Sequence, residues 1–282
     1  MTRSLWYSIK IILVFSLLIL GHCKIQPQPS HPYLVLYAFD AEGQLLMEKM
    51  SIIKSQKILG RAVFTGMLSG KEIVLAESGV GMTNAAMTTQ KLIDDFHPKG
   101  VIFSGIAGAI DSTVHIGDIV VCESWVTHDY IYHGANGPQP NEIWVYSPSL
   151  DSVIRISHFS VGDSMYKIAA NFDEDEIPFQ DIGNRTPRLL IGGVGVSGNA
   201  FIDNSDKRNW LNTTYDALIT DMESAAVAQV CEVNNVPFIV FRSASDLAGG
   251  SGSDSAKYEL REFFKVAAIN SSILVIKFLG SL

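Results

Sequence analysis

Short apolar runs recur along the chain from residue 33 onward, and glycine, proline or acidic residues bound them. Within a run the apolar positions are continuous rather than alternating with polar ones. Such runs are typical of strands in a sheet that is covered on both faces. We therefore predict strands at residues 33–39, 73–76, 101–103, 118–121, 189–196, 217–219 and 238–241.

Helical patterns separate these strands. The helix predicted over residues 83–96 can begin with Thr83 or Asn84 as its cap, and residues 223–233 are rich in alanine and valine. The closing stretch, residues 258–279, places apolar side chains along one face, as an amphipathic helix does.

The alternation of strands and helices predicts a single α/β domain over residues 33–282, with a largely parallel central sheet flanked by helices. Residues 130–187 give the weakest pattern. For this stretch we predict loops and one helix near residues 161–172.

The first 23 residues have the order of an export signal. Arg3 and Lys10 precede an apolar run at residues 11–20, and a short segment ending at Cys23 follows it. A run of about ten residues is too short to cross a bilayer as a helix, which takes roughly 20. Three alternatives stay open: cleavage after Cys23, lipidation of Cys23 as in a bacterial lipoprotein, and an uncleaved N-terminal anchor.

We expect residues 1–23 to be a signal peptide or lipoprotein signal, and residues 24–32 to be an extended, proline-containing tether. The protein is then secreted, periplasmic or lipid-anchored, and it meets a membrane only through its N-terminal signal or lipid.

Composition narrows the function to small-molecule chemistry. A hydrophobic fraction of 47% and a charged fraction of 18% exclude intrinsic disorder. The net charge is −8 without a Lys/Arg cluster, which argues against nucleic-acid binding. We find no His/Cys cluster with metal-ligand spacing and expect neither a metal nor a cofactor.

Glycine-rich turns follow several predicted strands, at residues 78–81, 104–108 and 192–198. None has the spacing of a dinucleotide or phosphate loop. Each has an ordinary explanation as a tight turn. Their common position at strand ends, where ligands bind in α/β sheets, favours a flat ligand lying against bare backbone.

Acidic residues follow three other predicted strands. Glu223 opens a helix, Asp246 follows the strand at residues 238–241, and Glu42 follows the first strand. Individually they have structural explanations: a helix cap for Glu223, a turn former for Asp246 and a solvated loop residue for Glu42. Because all of them come after strands, we expect them on one rim of the sheet.

Seven short segments carry the motifs of a known family: residues 38–42, 78–81, 105–108, 114–121, 197–202, 221–228 and 245–248. In this order they resemble the purine nucleoside phosphorylase/nucleosidase superfamily, most closely the 5′-methylthioadenosine/S-adenosylhomocysteine nucleosidases and their secreted plant relatives. The resemblance implies an α/β fold with a twisted mixed sheet, a purine nucleoside as substrate and a homodimer.

The resemblance implies three catalytic residues. Asp246 falls where the family's acid approaches purine N7 and the exocyclic amine, and general-acid assistance there helps the base to leave. Glu42 falls at the general base that activates water. Arg242 falls at the arginine that helps to hold that water.

The resemblance also implies a binding set. Glu223 accepts hydrogen bonds from the ribose hydroxyls, Met222 lines the sugar, Phe201 stacks on the purine and backbone groups of Ile202 read the base edge. Further substrate contacts are implied for Ser245, Gly105 and Ile106. Typical nucleosidases have Ser or Thr where Ile106 stands, so we expect a different geometry or rate of nucleophilic attack.

The nucleophile is predicted to be water. In the phosphorylase branches, one arginine precedes the turn that corresponds to residues 104–108 and another lies near the first strand. Here residues 101–103 are apolar and residues 34–46 contain no arginine. Arginine is the usual bidentate ligand of phosphate, so its loss favours hydrolysis.

Two alternatives to a nucleosidase remain. One is a phosphate-dependent phosphorylase, because Arg242 is retained. The other is a non-catalytic exported storage or nucleoside-binding relative. The joint presence of Glu42, Glu223 and Asp246 favours the enzyme, since storage would not require three acids on one rim.

Overall fold

This computed structural model describes residues 31–252 and 255–282; the predicted signal at residues 1–23 and most of the predicted tether lie outside them. The described helices are α1 (Asp40–Lys49), α2 (Met82–Phe96), α3 (Asp163–Ala170), α4 (Ser205–Tyr215), α5 (Ser224–Asn234) and α6 (Ala256–Ser281). The described strands are β1 (Tyr33–Tyr37), β2 (Ser51–Ile58), β3 (Arg61–Leu68), β4 (Lys71–Glu77), β5 (Gly100–Ala109), β6 (Ile119–Val121), β7 (Ser124–Thr127), β8 (Ile131–Gly134), β9 (Gly137–Pro140), β10 (Ile143–Ser147), β11 (Ser152–Ile156), β12 (Phe159–Ser160), β13 (Leu189–Ile191), β14 (Val194–Ser197), β15 (Ala217–Asp221) and β16 (Phe238–Asp246).

Strand β5 lies at the centre of the sheet. Along one edge it pairs in parallel with β16, from Val101 to Gly108. Its other edge pairs first with β1, in parallel, and then with the end of β15, antiparallel. The sheet therefore mixes both pairings, and the ends of β5, β15 and β16 meet in one region.

Both faces of the sheet are buried, which explains the continuous apolar runs. Along β1, Leu34 and Leu36 pack into the core shared with α2 and α5. Val35 and Tyr37, pointing to the other face, pack into the core shared with α1, α3 and α6. The prediction of an α/β fold with a mixed central sheet flanked by helices is confirmed.

The strand predicted at residues 189–196 is two strands in the structure. Gly192 and Gly193 both have positive φ, 113° and 74°, and the chain turns between them. Strand β13 pairs with β6, whereas β14 pairs with β7 and β15. A continuous apolar run could not reveal this change of partner.

Several elements lack a clear pattern in the sequence. Strands β2 and β3 form an antiparallel hairpin at one end of the sheet. Two small hairpins, β8–β9 and β10–β11, occupy the stretch where we predicted loops. Strands β2 and β8 are largely exposed, so their sequences show little apolar periodicity.

Helix α6 is long and apolar enough to cross a bilayer by length and composition alone. In the described structure it packs against β16, β5 and α1, and half of its most apolar 18-residue stretch is buried. Its face toward the sheet includes Leu274 and Phe278, which are fully buried.

Candidate active site

A cavity of about 280 Å³ lies where β5, β15 and β16 end. Most of its lining is apolar, but Asp221 and Thr220 at the end of β15 add polar groups. The residues predicted for the site that line it are Glu42, Ile106, Phe201, Ile202, Met222, Glu223, Ser245 and Asp246. The structure therefore brings the three acids to one cavity, whereas Gly105 and Arg242 lie outside the lining.

Glu42 lies in a helix and is buried, so the alternative explanation of a solvated loop residue is wrong. It lies in the first turn of α1 and is 1% exposed. Its Oε2 accepts the N–H of Ala38 at 2.6 Å, and its Oε1 accepts the N–H of Ile106 at 2.8 Å. Burial raises the pKa of Glu42, although Arg242 and the two backbone donors oppose the shift.

Glu223 occupies the N-cap position of α5, but its side chain makes no capping hydrogen bond, because Asp221 supplies the acceptor instead. Asp221 Oδ1 accepts the N–H groups of Glu223 and Ser224 at 3.2 and 3.1 Å, at the start of α5. The Glu223 side chain is thereby free to reach the N-terminus of α2, where its Oε1 accepts the N–H of Gly81 at 2.8 Å. Burial first, and then the nearby charges of Asp221 and Glu42, raise the pKa of Glu223 to about 7.

Arg242, on β16, is fully buried behind the cavity. Its Nε lies 2.8 Å from Asp221 Oδ2, its Nη1 3.5 Å from Glu42 Oε1 and its Nη2 3.4 Å from Glu223 Oε2. Burial alone would lower the pKa of Arg242, but the three carboxylates together raise it. One guanidinium therefore links three acids of the cavity wall.

Gly105 makes room for this linkage. A Cβ built at this position would overlap the guanidinium of Arg242 and would lie 2.6 Å from Glu42 Oε1. Gly105 therefore has a packing role, since the bare backbone admits the ion pair between Arg242 and Glu42. Its substrate contact stays a prediction.

Asp246 is the last residue of β16 and is 2% exposed. Its Oδ1 accepts the N–H of Ala248 at 2.9 Å, and its Oδ2 accepts the hydroxyl of Ser245 at 2.9 Å. Burial raises the pKa of Asp246 to about 7 against these two donors, and the charges of Glu259 and Asp203 add to the rise. A carboxyl with this pKa carries a proton for much of the time at neutral pH.

Phe201 and Ile202 lie in the segment between β14 and α4. Ile202 is buried, whereas Phe201 is 41% exposed and leaves an aromatic face at the cavity. The segment is fixed at Asn199, whose N–H donates to Asp129 Oδ2 at 2.9 Å and whose Oδ1 accepts the N–H of Met82 at 3.1 Å.

Asp221 and Leu260 are among the lining residues that received no role in the sequence analysis. Asp221 was visible two positions before Glu223 at a strand end, and that position was the available signal. Leu260 comes from the start of α6, far along the chain from the other lining residues, and its helical pattern marks it only as apolar. Across residues 31–252 and 255–282, no side chains are grouped as metal ligands are.

The arrangement can divide acid and base chemistry between two places. Asp246 can hold a proton and give it up near neutral pH. Glu42 and Glu223 share a guanidinium and can accept hydrogen bonds or a proton. Acids whose environments differ in this way can take different roles in one reaction.

Comparison with known proteins agrees with the family resemblance of the motifs. Residues 32–280 match the phosphorylase superfamily. The 5′-methylthioadenosine/S-adenosylhomocysteine nucleosidase of Halalkalibacterium halodurans is 31% identical over 252 residues, 88% of this chain and 97% of that protein. The nucleosidase of the same name from Staphylococcus epidermidis is 32% identical over 241 residues, 84% of this chain and 94% of that protein.

A solved structure agrees in fold. The crystal structure of 5′-methylthioadenosine/S-adenosylhomocysteine nucleosidase from Neisseria meningitidis in complex with methylthio-immucillin-A superposes with a TM-score of 0.73 and 28% identity. The match covers 89% of this chain and 99% of that chain.

Replacing Arg242 with Met tests the buried ion network. Three carboxylates would lose their shared cation, so we expect the free energy of unfolding to fall by roughly 3–5 kcal/mol in urea titrations. The loss should be larger at pH 8 than at pH 5, because the unpaired acids can be neutralised by protons at low pH. Arg155→Met is the control: its exposed pair with Glu142 should cost about 1 kcal/mol or less. Equal losses in the two variants would contradict the network.

Proposed function

This chain belongs to the phosphorylase superfamily, and we propose that it is a purine nucleosidase that hydrolyses the N-glycosidic bond of methylthioadenosine, S-adenosylhomocysteine or adenosine-type nucleosides. The family resemblance seen in the motifs is confirmed by the match over residues 32–280. The observation that carries the proposal is the meeting of Glu42, Glu223 and Asp246 at one largely apolar cavity. The names of the two bacterial relatives support the same activity.

Departure of the base is the task of Asp246. Cleavage of the bond leaves electrons on the purine, and a proton supplied at N7 neutralises them. A general acid works best when its pKa lies near the working pH, and the raised pKa of Asp246, about 7, meets that condition. The bonds from Ala248 and Ser245 hold the carboxyl in one orientation.

Attack on the sugar is the task of Glu42. Its carboxylate takes a proton from water as the water oxygen bonds to the anomeric carbon. The raised pKa of Glu42 makes it a stronger base than an exposed glutamate. In this proposal Arg242 acts through its neighbours. It is fully buried and orients Glu42 and Glu223, so it is a positioning residue.

The remaining lining residues bind the nucleoside. Glu223 accepts hydrogen bonds from the ribose hydroxyls, and Met222 lies beside it against the sugar. Phe201 offers an aromatic face to the purine, while Ile202 lies next to it as part of the wall. Stacking of this kind is worth about 1–3 kcal/mol per base in single-strand binding.

Water rather than phosphate is the proposed nucleophile. The described lining contains four acids, Glu42, Asp221, Glu223 and Asp246, and neither lysine nor arginine. A phosphate dianion would meet these acids without a cation in contact with it. Ile106 adds an apolar wall beside Glu42, where a hydroxyl is usual in this family.

We further propose a homodimer, on the family resemblance and on exposed apolar side chains. Trp144, Tyr146 and Val153 lie on one face of the hairpin β10–β11 and are 64%, 43% and 59% exposed in the single chain. Clustered exposed apolar groups are typical of protein interfaces. Sedimentation equilibrium should give twice the mass of the chain, and a monomer at micromolar concentration would contradict this.

Export is proposed from the N-terminal pattern alone. Basic residues, an apolar run of about ten residues and a small-residue segment ending at Cys23 follow the order of a secretory signal. Mass spectrometry of the expressed protein should find the N-terminus at Lys24 or a lipid on Cys23. An intact chain beginning at Met1 would contradict both.

The central experiment measures base release. Purified protein should release adenine from methylthioadenosine in phosphate-free buffer, followed by the absorbance change of the freed base or by chromatography. Added phosphate should leave the rate unchanged and yield no sugar phosphate. A rate that depends wholly on phosphate would make the protein a phosphorylase, and no release across a panel of purine nucleosides would contradict the enzyme.

Asp246→Asn and Glu42→Gln test the acid and the base. Each should lower kcat by on the order of 10²-fold or more, because each removes one proton transfer. In the unchanged enzyme, kcat/KM should fall as pH rises through about 7, since Asp246 loses its proton there. Glu262→Gln, on the exposed face of α6, is the matched control and should keep the full rate. Full activity in either site variant would remove its assigned role.

A further inference from the structure

The segment that follows Asp246 is held by two acids from different parts of the chain. Glu259, in the first turn of α6, accepts the N–H of Leu247 through Oε2 at 2.8 Å. Asp203 accepts the N–H of Ala256 through Oδ1 at 3.1 Å. Leu247 directly follows Asp246, and Ala256 begins α6, so the two bonds fix the segment near its two ends.

Both acids lie beside Asp246. The bond to Leu247 brings the Glu259 carboxylate within one peptide unit of Asp246. The main chain of Asp203 touches the segment at Gly249, where a Cβ would lie 2.8 Å from the Asp203 carbonyl carbon. Its second oxygen, Oδ2, is buried and has no hydrogen-bond partner among the described residues.

Each acid is also the sequence neighbour of a cavity residue. Asp203 follows Ile202, and Glu259 precedes Leu260, and both neighbours line the cavity. The two acids are therefore adjacent in sequence to the cavity wall, yet neither lines the cavity itself.

We propose that Asp203 and Glu259 are positioning residues for the general acid: together they fix the segment after Asp246 and keep the proton on its carboxyl. This inference rests on the proposed function for its catalytic meaning. Two negative charges close to a buried carboxyl disfavour its ionised form, so the acid stays protonated to a higher pH. A nearby negative charge in a partly buried setting raises the pKa of such a carboxyl by roughly 0.5–1 unit.

The other charges around Asp246 do not cancel this effect. Glu42, Asp221 and Glu223 share the cavity with Asp246, but Arg242 already pairs with all three. Arg208 of α4 lies beside Gly250 and donates through Nε to the Ala109 carbonyl at 3.1 Å. Burial and the charges of Glu259 and Asp203 together raise the pKa of Asp246, despite hydrogen bonds from Ala248 and Ser245.

The test uses Asp203→Asn, Glu259→Gln and the double variant. An amide oxygen can still accept the N–H of Ala256 or Leu247, so these changes remove charge and keep the hydrogen bond. The ionisation of Asp246 is followed in the free protein by NMR of ¹³C-labelled aspartate carboxyls, with Asp246→Asn to assign the signal. The kcat/KM profile is measured on the same proteins between pH 5 and 9.

Each single variant should move the Asp246 titration to lower pH by roughly 0.5–1 unit, and the double variant should move it further. At pH 8, kcat/KM of each single variant should be about 3–10-fold lower than that of the unchanged enzyme at the same pH. Glu262→Gln is again the control, since it removes an exposed charge one turn along α6 and should leave the titration in place.

If the Asp246 titration does not move in folded variants, the inference is overturned. A fall in kcat by the same factor at every pH would not rescue it, because such a fall indicates a structural role alone. The NMR titration needs no turnover, so the two proposals can fail separately. A shifted carboxyl in a protein that releases no base would keep the proton-holding role and refute the nucleosidase. Because the two single variants change different elements, misfolding of one leaves the other as the test.

Discussion

The site depends on a buried guanidinium. Arg242 contacts Glu42, Asp221 and Glu223, which reach it from α1, β15 and the start of α5. Carboxylates this deeply buried are tolerated in a protein only when a cation and hydrogen bonds compensate for lost hydration. The network therefore acts as the constraint that brings three separate elements to one wall of the cavity.

Local backbone features serve that constraint. Gly105 leaves space for the guanidinium, and Asp221 takes over the capping of α5, so that Glu223 can bond to Gly81 instead. Arg242 Cζ also lies 4.2 Å from the centre of the Phe103 ring, which adds a cation–π contact. Each of these features depends on contacts between different elements of the fold.

Distance from Arg242 separates the chemical roles of the acids. Glu42 and Glu223 lie in contact with the guanidinium, whereas Asp246, at the far end of the same strand, has only neutral donors in Ser245 and Ala248. Burial raises the pKa of all three, but only Asp246 faces further acids without a paired cation. A proton donor and a proton acceptor can therefore coexist in one cavity of about 280 Å³.

Apolar periodicity and strand ends are local properties of the sequence, so the fold class, most strands and helices, and the convergence of acids that follow strands could be predicted from it. It could not show that β13 and β14 separate at Gly192, nor that Leu260 joins the cavity, because both depend on partners distant along the chain. Tertiary structure alone decided that Arg242 lies behind the cavity and that Asp221 caps a helix. Such roles depend on burial and on which charged side chains come into contact. Neither can be derived from the neighbouring residues in the sequence.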